Sequence, residues 1–192
     1  MRSFVLMARK ASTAPFPLND LPGAGRIDVV CRCVNASIWL SDTIRRDTEF
    51  FSCFDGPPSP PVCIKFSGEL MQGVSPDERN IASWISKAVL AGAGEEWKAI
   101  QRGIFTAKRN LQSLSKEMQG SFCVLSERGD DMRTAEIGEN PVFFLGDHLG
   151  IPEKDEGFLE RLGAKKISIG PKTYLASHCI AVVNNELDRR GI

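Results

Sequence analysis

The strongest constraint on the fold lies in the second half of the chain, where short apolar runs alternate with amphipathic segments. Ser121–Ser126 (SFCVLS), Pro141–Leu145 (PVFFL) and Lys165–Ile169 (KKISI) are too short for buried helices, whereas Asn110–Gln119, Glu153–Leu162 and Thr173–Arg189 carry helical spacing. Near-continuous apolar strands separated by helices predict a largely parallel α/β sheet, covered by helices on both faces.

The first half reads as an extension of the same sheet. Ser3–Ala8 is a buried strand, Arg26–Ser41 a helix with apolar residues at Ile27, Val30, Cys31, Val34, Ile38 and Leu40, and Asp47–Phe54, Pro61–Phe66 and Gly103–Ala107 further strands. The proline-dense Gly56–Pro61 is a rigid turn between two of them. Ser75 as N-cap, Pro76 at the first helical position and the acids Asp77 and Glu78 open a helix that Gly92-Ala93-Gly94 ends near Ala91. One domain over 1–192 is expected, with 1–120 and 121–192 as its two parts.

Lys+Arg and Asp+Glu balance at 24 each, so no global basic field marks the chain for nucleic acid, and any such contact must come from a local patch. The opening MRSFVLMARK has too short an apolar stretch and no cleavage site for a signal peptide, and nothing approaches a membrane span. No membrane association and a cytoplasmic location are expected. The six cysteines form no CxxC pair and stand beside only two histidines, which argues against a zinc site and for reduced, mostly buried thiols. No metal is expected.

In parallel sheets ligands gather beyond the carboxyl ends of the strands. Three loops qualify: the one after Leu125, Gly146-Asp147-His148-Leu149-Gly150, and Gly170-Pro171-Lys172-Thr173. Together they would suit a flat ring and a bent ligand held through backbone groups. Leu21–Arg26 (LPGAGR) offers a short GxG before a helix, but without the third glycine and later acid of a dinucleotide fingerprint it reads as a turn. His178-Cys179 suggests a thiol nucleophile, yet helix neighbours do not face one another, so Cys179 reads as a pocket lining. Two guanidiniums and a carboxylate recur at Arg45-Arg46-Asp47 and at Arg26, Asp28 and Arg32, and Asp77-Glu78-Arg79-Asn80 forms a third polar cluster. Each cluster suits phosphates or carbonyls, or is simply a set of solvated ion pairs and caps.

LPGAGRIDVVCRC (21–33), IRRD (44–47), GPPSPPVCIKFSG (56–68), SPDERN (75–80), FFLGDHLG (143–150) and SHCIAVVNNELD (177–188) closely resemble, in the same order, the archaeal tRNA (pseudouridine-54-N1)-methyltransferase family of the SPOUT superfamily. The resemblance implies a homodimer, tRNA as partner, and a C-terminal trefoil knot in 121–192 that binds S-adenosylmethionine (SAM). It places the cofactor contacts at Leu125, Gly146, Ile169, Gly170, Pro171, Lys172, Thr173, Tyr174 and Cys179. The Ile169-Gly170-Pro171-Lys172 stretch departs from a more usual leucine-serine-proline-leucine loop. Pseudouridine N1 carries a proton and attacks a methyl group only once that proton is withdrawn or the anion is stabilised. Asp47, with Asp28 next, is the expected carboxylate for that role, with Arg26 and Arg46 beside them and Arg32, Arg45 and Arg79 holding RNA. Alternatives are N1-methylation of a ribosomal-RNA pseudouridine and a SAM- or RNA-binding module without catalysis; a nucleotide-dependent oxidoreductase lacks its fingerprint.

Overall fold

A computed structural model describes residues 1–192. Eight strands, β1 (Arg2–Ala8), β2 (Thr48–Phe54), β3 (Val62–Ser67), β4 (Lys98–Gln101), β5 (Ile104–Ala107), β6 (Phe122–Asp131), β7 (Val142–Gly146) and β8 (Lys165–Ser168), form one sheet in the order β4-β5-β3-β2-β1-β7-β6-β8. The run β2-β1-β7-β6-β8 is parallel, and β3, β5 and β4 extend it with antiparallel pairings. The α/β architecture is thus largely parallel.

Five helices cover the sheet: α1 (Ile27–Ile38), α2 (Glu78–Leu90), α3 (Leu111–Glu117), α4 (Glu153–Arg161) and α5 (Ala176–Arg190). Alternation along the strands sorts the core into two layers. Phe4, Leu6, Phe50, Phe54 and Phe143 pack with Ile27, Val34, Ile81 and Ile180 of α1, α2 and α5, while Val5, Met7, Phe51 and Phe144 meet Leu111, Leu114 and Leu159 of α3 and α4. β1 is buried along all seven residues because it lies inside the sheet with helices on both sides. The helix α1 forms because Ile27, Val30, Cys31, Val34 and Ile38 repeat at helical spacing, and all five are buried.

Several boundaries differ from the sequence pattern, among them β6, which runs on to Asp131, and α1, which ends at Ile38. Asp77, not Ser75, caps α2, accepting from the Asn80 amide at 2.8 Å, so the helix starts at Glu78 and Pro76 stays outside it. The strand β4 is unmarked in the sequence because it is an edge strand with its first residues exposed. Finally, α5 begins at Ala176 rather than Thr173, which leaves residues 169–175 as a loop at the strand ends.

Candidate active site

The parallel strands β1, β6, β7 and β8 end on one edge of the sheet, and a cavity of about 620 Å³ opens there. Leu125, Gly146, Thr173, Tyr174 and Cys179 line it, and Arg26, just before α1, and Arg32 within it face the same space. An adjoining void of about 70 Å³ takes in Ile169, Gly170 and Lys172 together with Leu125, Thr173 and Tyr174. The three loops singled out in the sequence therefore converge, and Pro171 joins its neighbours without lining either space.

Local chemistry explains the shape of each loop. A Cβ on Gly146 would lie 2.3 Å from the Gly150 carbonyl carbon, so only glycine lets this loop close on itself. Asp147 then latches it: its Oδ1 accepts the Leu149 amide at 2.8 Å and its Oδ2 the Arg9 amide at 3.1 Å. In β6, Leu125 and Asp130 both pair with Ile167, so the residues between them bulge outward. That bulge presents Glu127, whose carboxylate accepts from the Thr173 hydroxyl at 2.9 Å and ties the 169–175 loop across the cavity. Burial pushes the Cys179 thiol up to about 11, so it lines the wall as a neutral group and is no nucleophile at neutral pH.

At the mouth, Arg26 sits in the left-handed region (φ 70°) as the residue preceding α1, reached through a turn in which Gly25 (φ 78°) passes against the Lys10 carbonyl with no room for a side chain. The LPGAGR segment is thus a tight turn, as its incomplete fingerprint suggested. Arg26 Nε and Nη2 donate to the two oxygens of Asp28 at 2.9 and 3.0 Å, and Arg32 Nη2 adds a 2.6 Å bond. The Asp28 side chain is 9% exposed and the Arg26 side chain 38%, so the carboxylate is buried beneath guanidiniums that still face the cavity. Burial raises the Asp28 carboxyl, but the hydrogen bonds from Arg26 and Arg32 outweigh it and hold the group below the usual carboxylate range.

The second polar cluster is not part of this site within one chain. Asp47 precedes β2, at the amino end of the parallel strands, roughly 20 Å from the cavity edge for a strand of this length. It contacts Arg2 at 3.2 Å, and its side chain is 52% exposed. Arg45 forks onto Asp188 of α5 at 2.6 and 2.8 Å, and Arg46 donates to the Gly68, Glu69 and Met71 carbonyls at 2.9, 3.4 and 3.1 Å. Within one chain, strand direction sends the two clusters to opposite edges of the sheet, so Asp47 and Arg46 do not line the cavity that Arg26 and Arg32 face. Arg79 is exposed at the start of α2, beside Glu78, which reaches Arg32 at 3.5 Å.

Sequence reasoning named Asp147 only as a member of its loop, and it passed over Glu127, which ties the 169–175 loop, and Asp55, a half-buried carboxylate just past the carboxyl end of β2. Its position at a strand end, the same signal that identified the other loops, could have found it.

Comparison with known proteins agrees with this architecture. A family model described as "Putative SAM-dependent RNA methyltransferase" matches residues 1–192. The tRNA (pseudouridine(54)-N(1))-methyltransferase of Methanocella arvoryzae is 48% identical over 193 residues, spanning 99% of this chain and 100% of that protein. The enzyme of the same name from Methanocaldococcus jannaschii is 42% identical over 203 residues, spanning 100% of this chain and 98% of its own. Among solved structures, Archaeoglobus fulgidus Nep1 bound to S-adenosylhomocysteine superposes with a TM-score of 0.66 across 100% of this chain and 99% of that one, a likeness of fold at 15% identity. With the matched family model spanning every residue and relatives aligned end to end, the chain belongs to the tRNA (pseudouridine(54)-N(1))-methyltransferase family of SAM-dependent RNA methyltransferases.

Proposed function

We propose that the chain methylates N1 of a pseudouridine in the T-loop of tRNA, at position 54, using SAM bound in the cavity beyond β6, β7 and β8. The observation that carries this is the joint presence, on one edge of the sheet, of an adenosyl-sized cavity and a paired guanidinium cluster at its mouth. The cavity suits the cofactor chemically. Leu125, Leu145 and Leu175 offer apolar walls, while the carboxylates of Glu127 and Glu156 and the guanidiniums of Arg26 and Arg32 suit a ligand bearing both signs of charge, as an adenosyl sulfonium amino acid does. When bound, SAM supplies an electrophilic methyl group.

The chain's own residues then act on the pseudouridine. Both oxygens of Asp28 are engaged by arginines and its carboxyl is acidic, which makes it a poor proton acceptor and a good anchor. Arg26 and Arg32, held in place by that anchor, aim positive charge at the uracil carbonyls. There they stabilise the anion that develops as the N1 proton leaves to solvent through the open mouth. Asp28 is thus a positioning residue, and the arginines carry the electrostatic work. The base is flipped out of its loop to reach the cavity.

Two further features belong to this reading. A trefoil knot in 121–192 follows from the family resemblance and is supported by the contact of the 132–135 turn with the end of α5, where Arg190 Nη1 donates to the Ala135 carbonyl at 2.8 Å. A homodimer that completes the RNA groove is supported by a shallow depression between α1 and α5 that includes Trp39 and Leu40, with Leu40 exposed. The fold carries no helix long and apolar enough to cross a membrane.

The test is transfer of labelled methyl from SAM to tRNA carrying pseudouridine at position 54, with a ribosomal-RNA pseudouridine fragment in parallel, followed by mass mapping of the product. N1-methylpseudouridine in the T-loop is expected. No transfer, or transfer to the ribosomal fragment alone, would defeat the assignment.

A further inference from the structure

A second cavity, of about 630 Å³, opens on the same edge of the sheet and is lined by none of the three ligand loops after β6, β7 and β8. Its walls are the β1–α1 connection and the turn after β2, and the groups that carry its chemistry are Arg9, Lys10, Phe16 and Asp55. Because β1 and β2 are parallel, their carboxyl ends bring these residues beside the first cavity. The two spaces share a wall: Gly25 lines one and Arg26 the other. Arg9 lines the second cavity and ties it to the 146–150 loop of the first, its amide bound to Asp147 at 3.1 Å and its Nη1 to the Leu149 carbonyl at 3.3 Å.

We propose that this groove is a subsite for the nucleotide next to the reacting pseudouridine, with Phe16 stacking on its base, Arg9 and Lys10 holding its phosphate, and Asp55 bonding the base edge. The inference rests on the RNA-methyltransferase reading and deepens it. The separating wall excludes the reacting base itself, which must meet the methyl group directly. A flipped nucleotide draws its neighbour along the same edge, and single-stranded RNA is read by stacking, phosphate contacts and hydrogen bonds to base edges.

The groove is built rigidly. The Thr13 hydroxyl donates to the Gly56 carbonyl at 3.0 Å and accepts the Ser59 amide at 2.8 Å, and the Thr13 amide reaches the Pro57 carbonyl at 2.9 Å. A Cβ on Gly56 would stand 2.4 Å from the Ala11 carbonyl oxygen, so the connection and the turn are in direct backbone contact. Asp20, the other carboxylate, is spent on the Gly23 amide at 2.9 Å. Asp55 instead receives no hydrogen bond from the protein; burial, then Asp155, raise its carboxyl, against the opposing pull of Lys154 and Arg9. A half-buried carboxyl without a partner is available to a base N–H or, when protonated, to a base carbonyl. Lys10 and Arg9 are exposed, which gives this edge a local positive patch on a chain with no net charge.

The test uses the full-length protein, SAM, and a T-arm stem–loop carrying pseudouridine, with Phe16→Leu and Lys10→Glu. Leucine keeps Phe16's apolar contact with the core but removes the flat face. Steady-state methyl transfer, calorimetric SAM binding and RNA binding by anisotropy are measured for each. For Phe16→Leu and Lys10→Glu the expected result is KM for RNA raised about tenfold, with kcat within twofold and SAM affinity unchanged. Unchanged KM and unchanged RNA binding in both variants overturn the subsite while the active wild type upholds the methyltransferase reading. If the wild type transfers no methyl yet both variants weaken RNA binding, the subsite stands and the reaction assignment falls.

Discussion

Replacing Gly146 with alanine tests how the cavity is made. The added Cβ would lie 2.3 Å from the Gly150 carbonyl carbon, 2.5 Å from its Cα and 2.7 Å from the Ile151 nitrogen. All three are backbone atoms, so no side chain can swing aside. Ordinary contact begins at 3.4 Å, so the 146–151 loop must open by about 1 Å. Overpacking on this scale costs about 1–3 kcal/mol, and a chain of this size loses about 2–4 °C of Tm per kcal/mol, giving an expected fall of roughly 3–10 °C. Gly146, Gly150 and Ile151 all line the cavity, so a bound ligand must also pull the displaced loop back. SAM Kd is therefore expected to rise by roughly tenfold or more, since about 1.4 kcal/mol corresponds to a factor of ten. Gly150→Ala is the control: its Cβ would meet nothing within 4 Å, but its φ of 66° makes alanine unfavourable by about 1–2 kcal/mol. Differential scanning fluorimetry and calorimetry read both quantities. A Gly146→Ala protein with wild-type Tm and wild-type SAM affinity would refute the steric account.

Other consequences are as direct. Arg46→Ala removes the donor shared by three carbonyls after β3 and should cost roughly 1–2 kcal/mol by urea titration, with methyl transfer per folded molecule unchanged within twofold. Asp28→Asn should slow single-turnover transfer at least tenfold, because Arg26 and Arg32 lose their common anion, whereas Asp47→Asn should stay within threefold; equal losses would contradict the separation of the two clusters. In the pH dependence, Arg45 and Arg2 hold the Asp188 carboxyl low against its burial, and Asp28 is likewise held low. Depressed carboxylates contribute stability above their unfolded value, near 3.9, and lose it as pH falls through the folded one, so unfolding free energy should drop below about pH 4, less steeply in Asp188→Asn. Asp55, raised by burial and by Asp155, has the opposite sign, and Asp55→Asn should retain or increase stability at pH 7.

Much of this arrangement is legible in the residues, and the exceptions share a physical cause. Apolar runs such as PVFFL locate their strands because a strand inside a helix-covered sheet needs both faces apolar, and the loops after them locate the cavity because parallel strands end together. The edge strand β4 carries no such pattern, since little of it is buried. The cap of α2 is ambiguous because Ser75 and Asp77 are both good N-caps; the structure takes the one whose carboxylate reaches Asn80. The polar clusters illustrate a stricter limit. Residues 45–47 and residues 26, 28 and 32 offer the same side chains in similar spacing, and composition alone cannot divide them. Chain direction can: a residue before a parallel strand lies at its amino edge, so Asp47 is carried away from the ligand loops and into contact with Arg2, while Arg26 and Asp28, entering α1 after β1, remain at the carboxyl edge. The same argument applies to Asp55, one residue past β2 and beside no arginine fork. Charge spacing gives it no prominence, yet strand direction places it on the edge where the chemistry is. In a sheet of this kind, the position of a polar residue relative to its strand end is therefore the stronger guide to function than the company it keeps in sequence.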